Sequence, residues 1–200
     1  MKIFAFIHNH SADTGKIFGQ GDISWYEMPD SALLRSGNPF FIPDFASDFA
    51  AFPTVAYRIG RLGKSIAPKF AHRYIESAGI AVAVVARDLL EDLRGKGLPW
   101  TRAVSFDRSC LLGNLEPFDT FTNNGTFFIS CGGQNAEYDI SGLRHPVDSL
   151  IALASETNTL KNGDLLLASV GPCEITLTPG ITLTARSETS KTNLIDINIR

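Results

Sequence analysis

Apolar residues fall in short runs separated by glycine, proline and polar turn formers, a pattern that predicts strands more often than helices. Lys2 to His8 has few turn formers and predicts an N-terminal strand. Trp25 to Asp44 is punctuated by Pro29, Gly37, Pro39 and Pro43, which predicts extended pieces joined by turns. Thr54 to Ile59 predicts a strand that stops at a glycine turn. Ile80 to Ala86 is an unbroken apolar run, rich in valine and bounded by Gly79, so it predicts a strand buried on both faces. That run ends abruptly in Arg87 and Asp88.

From Arg87 the period changes. Leu89, Leu90 and Leu93 recur at helical spacing until Gly95 and Gly97 stop the helix. In "HPVDSLIALASETN", Pro146 suits a first-turn position, and Val147, Leu150, Ile151 and Ala154 form one apolar stripe. Short β-like runs follow at Leu165–Val170, Glu174–Leu177, Thr182–Arg186 and Leu194–Ile199. The pattern predicts an α+β, mostly β chain with two or three helices. With no internal repeat or low-complexity linker, one domain over residues 1–200 is expected, with residues 1–45 at most a small sub-region.

Composition narrows the partners. A chain of 200 residues, 44% apolar and 20% charged, can bury a sizeable core without covalent or metal staples. Its net charge of −3 and scattered basic residues predict neither a nucleic-acid nor an anionic-membrane partner. Cys110, Cys131 and Cys173 lie far apart without metal-ligand spacing, which argues against a disulfide framework and a zinc site. The apolar start of "MKIFAFIHNH" is too short for a secretory signal, and Ile80–Ala86 is too short to span a bilayer, so a cytoplasmic protein is expected.

Candidate chemistry is sparse. In a strand, His8 and His10 would share one face, and Asp13 could add an oxygen, which suggests a metal site. Such a site wants three or four ligands with support behind them, and only His72 and His145 remain elsewhere. Solvated or hydrogen-bonded histidines at a strand end are therefore expected, with no metal. "GRLGKS" ends like a phosphate-binding loop, but Arg58 stands where the first glycine is required, and a turn explains it. No Gly-x-Ser-x-Gly elbow occurs, and no cysteine has an activating neighbour.

Read with its neighbours, "YIESAGIAVAVVARDL" follows a motif in which an apolar strand contains Asn-Asp and runs into Val-Ser/Thr-Ala-Arg-Asp-Leu. "WTRAVSFDRSCLLGN" is similar to a Trp…Lys-x-Phe-Asp…Leu-Gly segment, and "LKNGDLLLASVGP" to Leu-x-x-Gly-Asp-Val-Ile-x-Thr-Gly-Thr-Pro. Upstream, "MPDSALLRSGNPFFIP" and "AYRIGRLGKSI" fit a Lys-Pro-x-Ser-Ala-Leu run and the end of a Glu-x-Glu strand. In this order the segments resemble the fumarylacetoacetate hydrolase family, over nearly the whole chain. The resemblance implies a mixed β-roll of the β-clip type, a homodimer, and hydrolase, isomerase or decarboxylase chemistry on 2-oxo or hydroxydienoate acids. It also implies Mg²⁺, Mn²⁺ or Ca²⁺ held by two glutamates and the aspartate of Asn-Asp.

Residue by residue, the structural positions of that pattern match: Gly60, Ala86-Arg87-Asp88, Phe106-Asp107, Gly113 and Gly163-Asp164. The ligand positions fall on Phe52, Thr54 and Ala83, the substrate lysine on Val104, and the lysine of Lys-Pro on Met28. In the N-terminal acid/base segment Asn9 matches, while His10, Asp13 and Lys16 replace tyrosine, histidine and glutamate. The expectation is therefore a binding or interaction protein without the family's metal or any other cofactor. Its cleft would be lined by Met28, Phe52, Thr54, Ala83 and Val104 and open to a small-molecule ligand. The alternative is a divergent enzyme in which His8, His10 and Asp13 carry the acid/base chemistry.

Overall fold

The computed structural model describes residues 1–10, 22–121, 125–171, 175–187 and 194–200. Along the chain come the strands β1 (Lys2–Ile7), β2 (Ser24–Pro29), β3 (Leu33–Arg35) and β4 (Phe49–Ile59), then helix α1 (Pro68–Ala71). Next are β5 (Ile75–Ala86), α2 (Arg87–Gly95), α3 (Thr101–Val104), β6 (Cys110–Pro117), α4 (Phe118–Phe121), β7 (Thr126–Cys131) and β8 (Gln134–Asp139). The chain closes with α5 (Val147–Thr157), β9 (Leu165–Ser169), β10 (Ile175–Thr176), β11 (Thr182–Ser187) and β12 (Ile195–Asn198).

One mixed sheet has the order β2-β1-β9-β4-β5-β6-β3, with β10 also against β4. A second, four-stranded sheet has the order β12-β11-β7-β8. Thus the mostly β class is as the pattern predicts. Helices number five among the described residues, against two or three expected, because α1, α3 and α4 are four-residue turns too short to show a period. Among the described residues, no helix is long and apolar enough to cross a membrane.

β4 and β5 form the spine, in register from Phe49 opposite Ala86 to Arg58 opposite Ser77. The predicted run is the C-terminal part of β5, which is buried throughout from Ala78 to Ala86. β4 begins five residues earlier than the pattern predicts and passes through Pro53. A proline lacks the N–H a central strand must donate. Here it stands between Ala51, opposite Ile175 of β10, and Thr54, opposite Ser169 of β9, where the neighbouring strand is interrupted. That interruption lies beside Val170 and Gly171, which reappear below.

Arg87 and Asp88 tie the end of β5 to the segment that enters β4. The Arg87 guanidinium donates to Asp48 at 2.9 and 2.5 Å and to Thr176 Oγ1 at 2.9 Å, while Asp48 O accepts from Arg87 N at 2.8 Å. Asp88 accepts from Ser47 N and Oγ at 2.8 and 2.7 Å and from Leu89 N at 2.8 Å. Desolvation, the largest single influence on the Asp88 carboxyl, raises its pKa, but the hydrogen bonds from Ser47 and the main chain together hold it below the usual value. A lowered folded-state value stabilises the fold above the unfolded pKa, about 3.9, and that contribution is lost as pH falls through the folded value. Unfolding free energy measured in urea should accordingly decline on acidification below about pH 4, and Asp88→Asn should flatten that decline.

Candidate functional site at the end of the first strand

β1 stops at Ile7 because His8 adopts a φ of 62°, in the left-handed region that a non-glycine residue enters at a cost of about 1–3 kcal/mol. His8 and His10 therefore do not sit in a strand sharing one face, and the expectation built on that geometry is corrected. Asn9 offsets the strain. It is fully buried, its Oδ1 accepts from His145 N at 2.9 Å, its Nδ2 donates to His145 O at 3.2 Å, and its carbonyl accepts from Arg144 N at 2.8 Å. Three hydrogen bonds at about 1 kcal/mol each are of the size needed. His10, bridged to Leu143, donates from Nε2 to the carbonyl of Asp139 at 3.4 Å. His8 and His10 are 8% and 9% exposed, so both are buried rather than solvated. Asp13 and Cys173 lie outside the described residues.

His10 lines a cavity of about 440 Å³ with the strand β8, Val170, Gly171 and Ile175. One glycine makes room for its ring. A Cβ on Gly142 would lie 2.2 Å from His10 Nε2, whereas one on Gly171 would press on the Tyr138 ring at 3.0 Å and only touch His10 Nδ1 at 3.9 Å. Gly132 and Gly133, with φ of 57° and 83°, form the two-residue turn between β7 and β8. That turn brings Gln134 and Asn135 to the cavity wall. At the other end of β8, Asp139 accepts from Ser141 N and Oγ at 2.8 and 2.5 Å. These bonds, with a smaller attraction from His10, hold its carboxyl below the usual value. Asn135, Asp139, Gly142 and Gly171 are absent from the sequence-derived site. Gly142 follows a Ser in a turn-rich stretch, but nothing in the sequence ties that stretch to His10.

The positions given to metal ligands by resemblance come together elsewhere. Phe52 lies opposite Ala83, and Thr54 lies opposite both Ala81 and Ser169. Phe52, Thr54 and Ala83 are 5%, 2% and 2% exposed, and Thr54 Oγ1 donates to Ala81 O at 3.1 Å. Met28 is buried in β2 opposite Ile3, and Val104 is buried in α3. None of the five lines the cavity at His10. Burial raises the Cys110 and Cys131 thiols to about 12 and about 11, which keeps both protonated and removes them as nucleophiles.

A fumarylpyruvate hydrolase from Pseudomonas aeruginosa, in complex with Mn²⁺ and pyruvate, shares this fold. It aligns over 100% of this chain and 90% of its own, with a TM-score of 0.82 and 17% identity. That likeness shows the fold, and the sequence places the chain within it more closely. The family model described as fumarylacetoacetate (FAA) hydrolase C-terminal matches residues 10–187, and the chain belongs to that family. It is 31% identical over 174 residues to the oxaloacetate tautomerase YcgM of Escherichia coli (strain K12), covering 79% of this chain and 78% of that protein. Identity to an oxaloacetate decarboxylase, mitochondrial, of Dictyostelium discoideum is 28%, covering 82% of this chain and 78% of the relative.

These relatives correct two expectations. A non-catalytic binding protein is overturned by the enzymes among which the chain falls. The expectation of no cofactor is overturned by the Mn²⁺ held in a protein of the same fold. The side chains that stand on β4 and β5 at the positions given by resemblance nevertheless do not fit a hard dication. Phe52 and Ala83 offer no donor, Thr54 is neutral, and Glu76, the carboxylate on β5, pairs with Arg58 at 3.3 Å near the far end. Among the described residues, no three His, Cys, Asp or Glu side chains are grouped to hold a metal ion. If this face is packed core, Ala83→Asp buries an unpaired carboxylate and lowers unfolding free energy by roughly 3 kcal/mol or more. Urea unfolding checks this, and an unchanged midpoint would mean a solvated face.

Proposed function

We propose that the protein is an enzyme that interconverts the keto and enol forms of a small 2-oxo acid of the oxaloacetate type, with His10 as the proton-transfer group. The 31% identity to an oxaloacetate tautomerase supports the reaction class. The observation that carries the residue assignment is the placement of a buried histidine on the wall of the cavity beside Gly171. An imidazole titrates near neutrality and serves in both directions of a proton transfer.

In this reaction the imidazole takes a proton from the carbon next to the keto group. The C–H electron pair becomes the C=C bond, and the carbonyl π pair moves onto oxygen. The imidazolium then returns its proton to that oxygen, so nothing is consumed. Gln134 and Asn135 also line this wall, and side-chain amides are of the kind that stabilise a developing enolate oxygen by donating hydrogen bonds.

The test is the decay of enol absorbance of oxaloacetate, followed with Mn²⁺ present, alongside acylpyruvates and hydroxydienoates as competing substrates. Wild-type protein should accelerate oxaloacetate tautomerisation, and His10→Ala should slow it roughly 10²–10⁴-fold. Absence of any acceleration, or a His10→Ala rate equal to wild type, overturns the reading.

A further inference from the structure

We infer that residues 58–73 form a docking face for an anionic phospholipid surface, whose headgroups the cations of the segment meet while Leu62 and Phe70 enter below them. This is independent of the reading of His10.

Between Asp48 and Glu76 the chain carries five cations, Arg58, Arg61, Lys64, Lys69 and Arg73, and no carboxylate. Arg58 pairs with Glu76 at 3.3 Å. Arg61, Lys64, Lys69 and Arg73 are exposed, and none pairs with a carboxylate among the described residues. On the neighbouring α5 and just beyond it, Glu156 and Lys161 offset each other, so four positive charges stand in excess. The "GRLGKS" stretch, without the spacing of a phosphate loop, thus supplies Arg61, Leu62 and Lys64 to a basic face.

The fold brings the two halves of this segment together. Gly60 N donates to Tyr74 O at 2.8 Å, and a Cβ on Gly63 would strike the Tyr74 ring. Gly63 exchanges two main-chain hydrogen bonds with Leu160, at 3.0 and 2.8 Å. Ser65 N and Ile66 N donate to O and Oγ of Ser155 at 2.8 and 2.9 Å, which holds Ser65 at a left-handed φ of 52°. Ile66 and Ala71 are buried and anchor the face from within.

Two apolar residues on the outer side have no packing role. Leu62 is 70% exposed and Phe70 is 42% exposed. Lys69 Nζ and Arg73 Cζ lie 4.9 and 5.0 Å from the Phe70 ring centroid, so the ring is held among cations. Apolar side chains amid Lys and Arg suit the boundary between lipid headgroups and acyl chains. Leu62, the more exposed of the two, is aliphatic and has no π face for a nucleic-acid base. The cavities at His10, Arg87 and Phe128 are lined by none of these residues, so the face does not share their concavity. The net charge of −3 that argues against a lipid partner is an average over the surface. With the cations gathered here, the remainder is more negative still. An anionic membrane attracts one side and repels the other, which orients the approach.

Co-flotation of the full chain with vesicles tests this, using phosphatidylcholine alone and an equal mixture with phosphatidylglycerol. Wild-type protein should float with the mixed vesicles at low salt and not with the neutral ones. It should be released at about 1 M salt, where charge acts over only about 3 Å. Lys69→Gln combined with Arg73→Gln should weaken the partition roughly 25-fold, about 5-fold per cation. Leu62→Ser, at a site too exposed to disturb folding, should weaken it roughly 10-fold with the thermal midpoint unchanged. Equal flotation with both vesicles, flotation with neither, or an unchanged partition in either folded variant overturns the inference. Protein that ignores vesicles but binds a single-stranded oligonucleotide through Lys69 and Arg73, or self-associates through Leu62, would give the face to nucleic acid or to a second copy and overturn it equally.

Discussion

Desolvation of the β4–β5 pair is the constraint on which the rest depends. Both strands lie inside the sheet, with β9 and β10 on one side and β6 on the other, so their side chains must be apolar or internally bonded. Ile80, Val82, Val84 and Val85 are completely buried, each contributing about 1.5–3 kcal/mol relative to exposure. An unpaired charge at the same depth would cost as much as one or two of these side chains contribute. Phe52, Thr54 and Ala83 obey that constraint and are part of the interior.

Polar chemistry is consequently found where strands stop. His10 follows the end of β1, Asp139 closes β8, and Gly171 follows β9. At each of these points the backbone has left its ladder and needs new partners, and the side chains and carbonyls around His10 supply them for one another. The left-handed His8 is what turns the chain out of β1, and the fully buried Asn9 holds the turned segment against residues 144 and 145. The cavity is thus assembled from strand termini drawn from three distant parts of the chain.

The elements legible in the sequence were those whose burial is uniform or strictly helical. Ile80–Ala86 announced β5 because both its faces are covered, and Leu89–Leu90–Leu93 announced α2 because one stripe packs while the other faces water. β6 carries Gly113 and Asn114, residue types uncommon in strands, and Asn114 N donates to Leu194 O. β7 and β8 were hidden by a polar composition suited to a half-covered sheet, with Gln134, Asn135 and Glu137 exposed. At the site, His10 was legible as a titratable group near a family segment. Its neighbours were not, because an Asp139 carbonyl and the absent side chain of Gly142 leave no motif.

The pairing of β1 with β9 has a consequence for how the protein is made. Ile3 lies beside Leu165 and Lys2 N donates to Asp164 at 2.8 Å, so the first strand finds its inner neighbour about four-fifths of the way along the chain. During synthesis at about 5–20 residues per second, β1 waits on the order of 10–30 seconds with only β2 to pair with. Phe4 and Phe6 remain short of their final burial for that interval. Closure of so long a loop comes before its reward in contacts, which makes this a slow-folding topology. The nascent chain is thus most exposed to aggregation before β9 emerges, and the apolar first strand is the segment a holding chaperone would have most reason to meet.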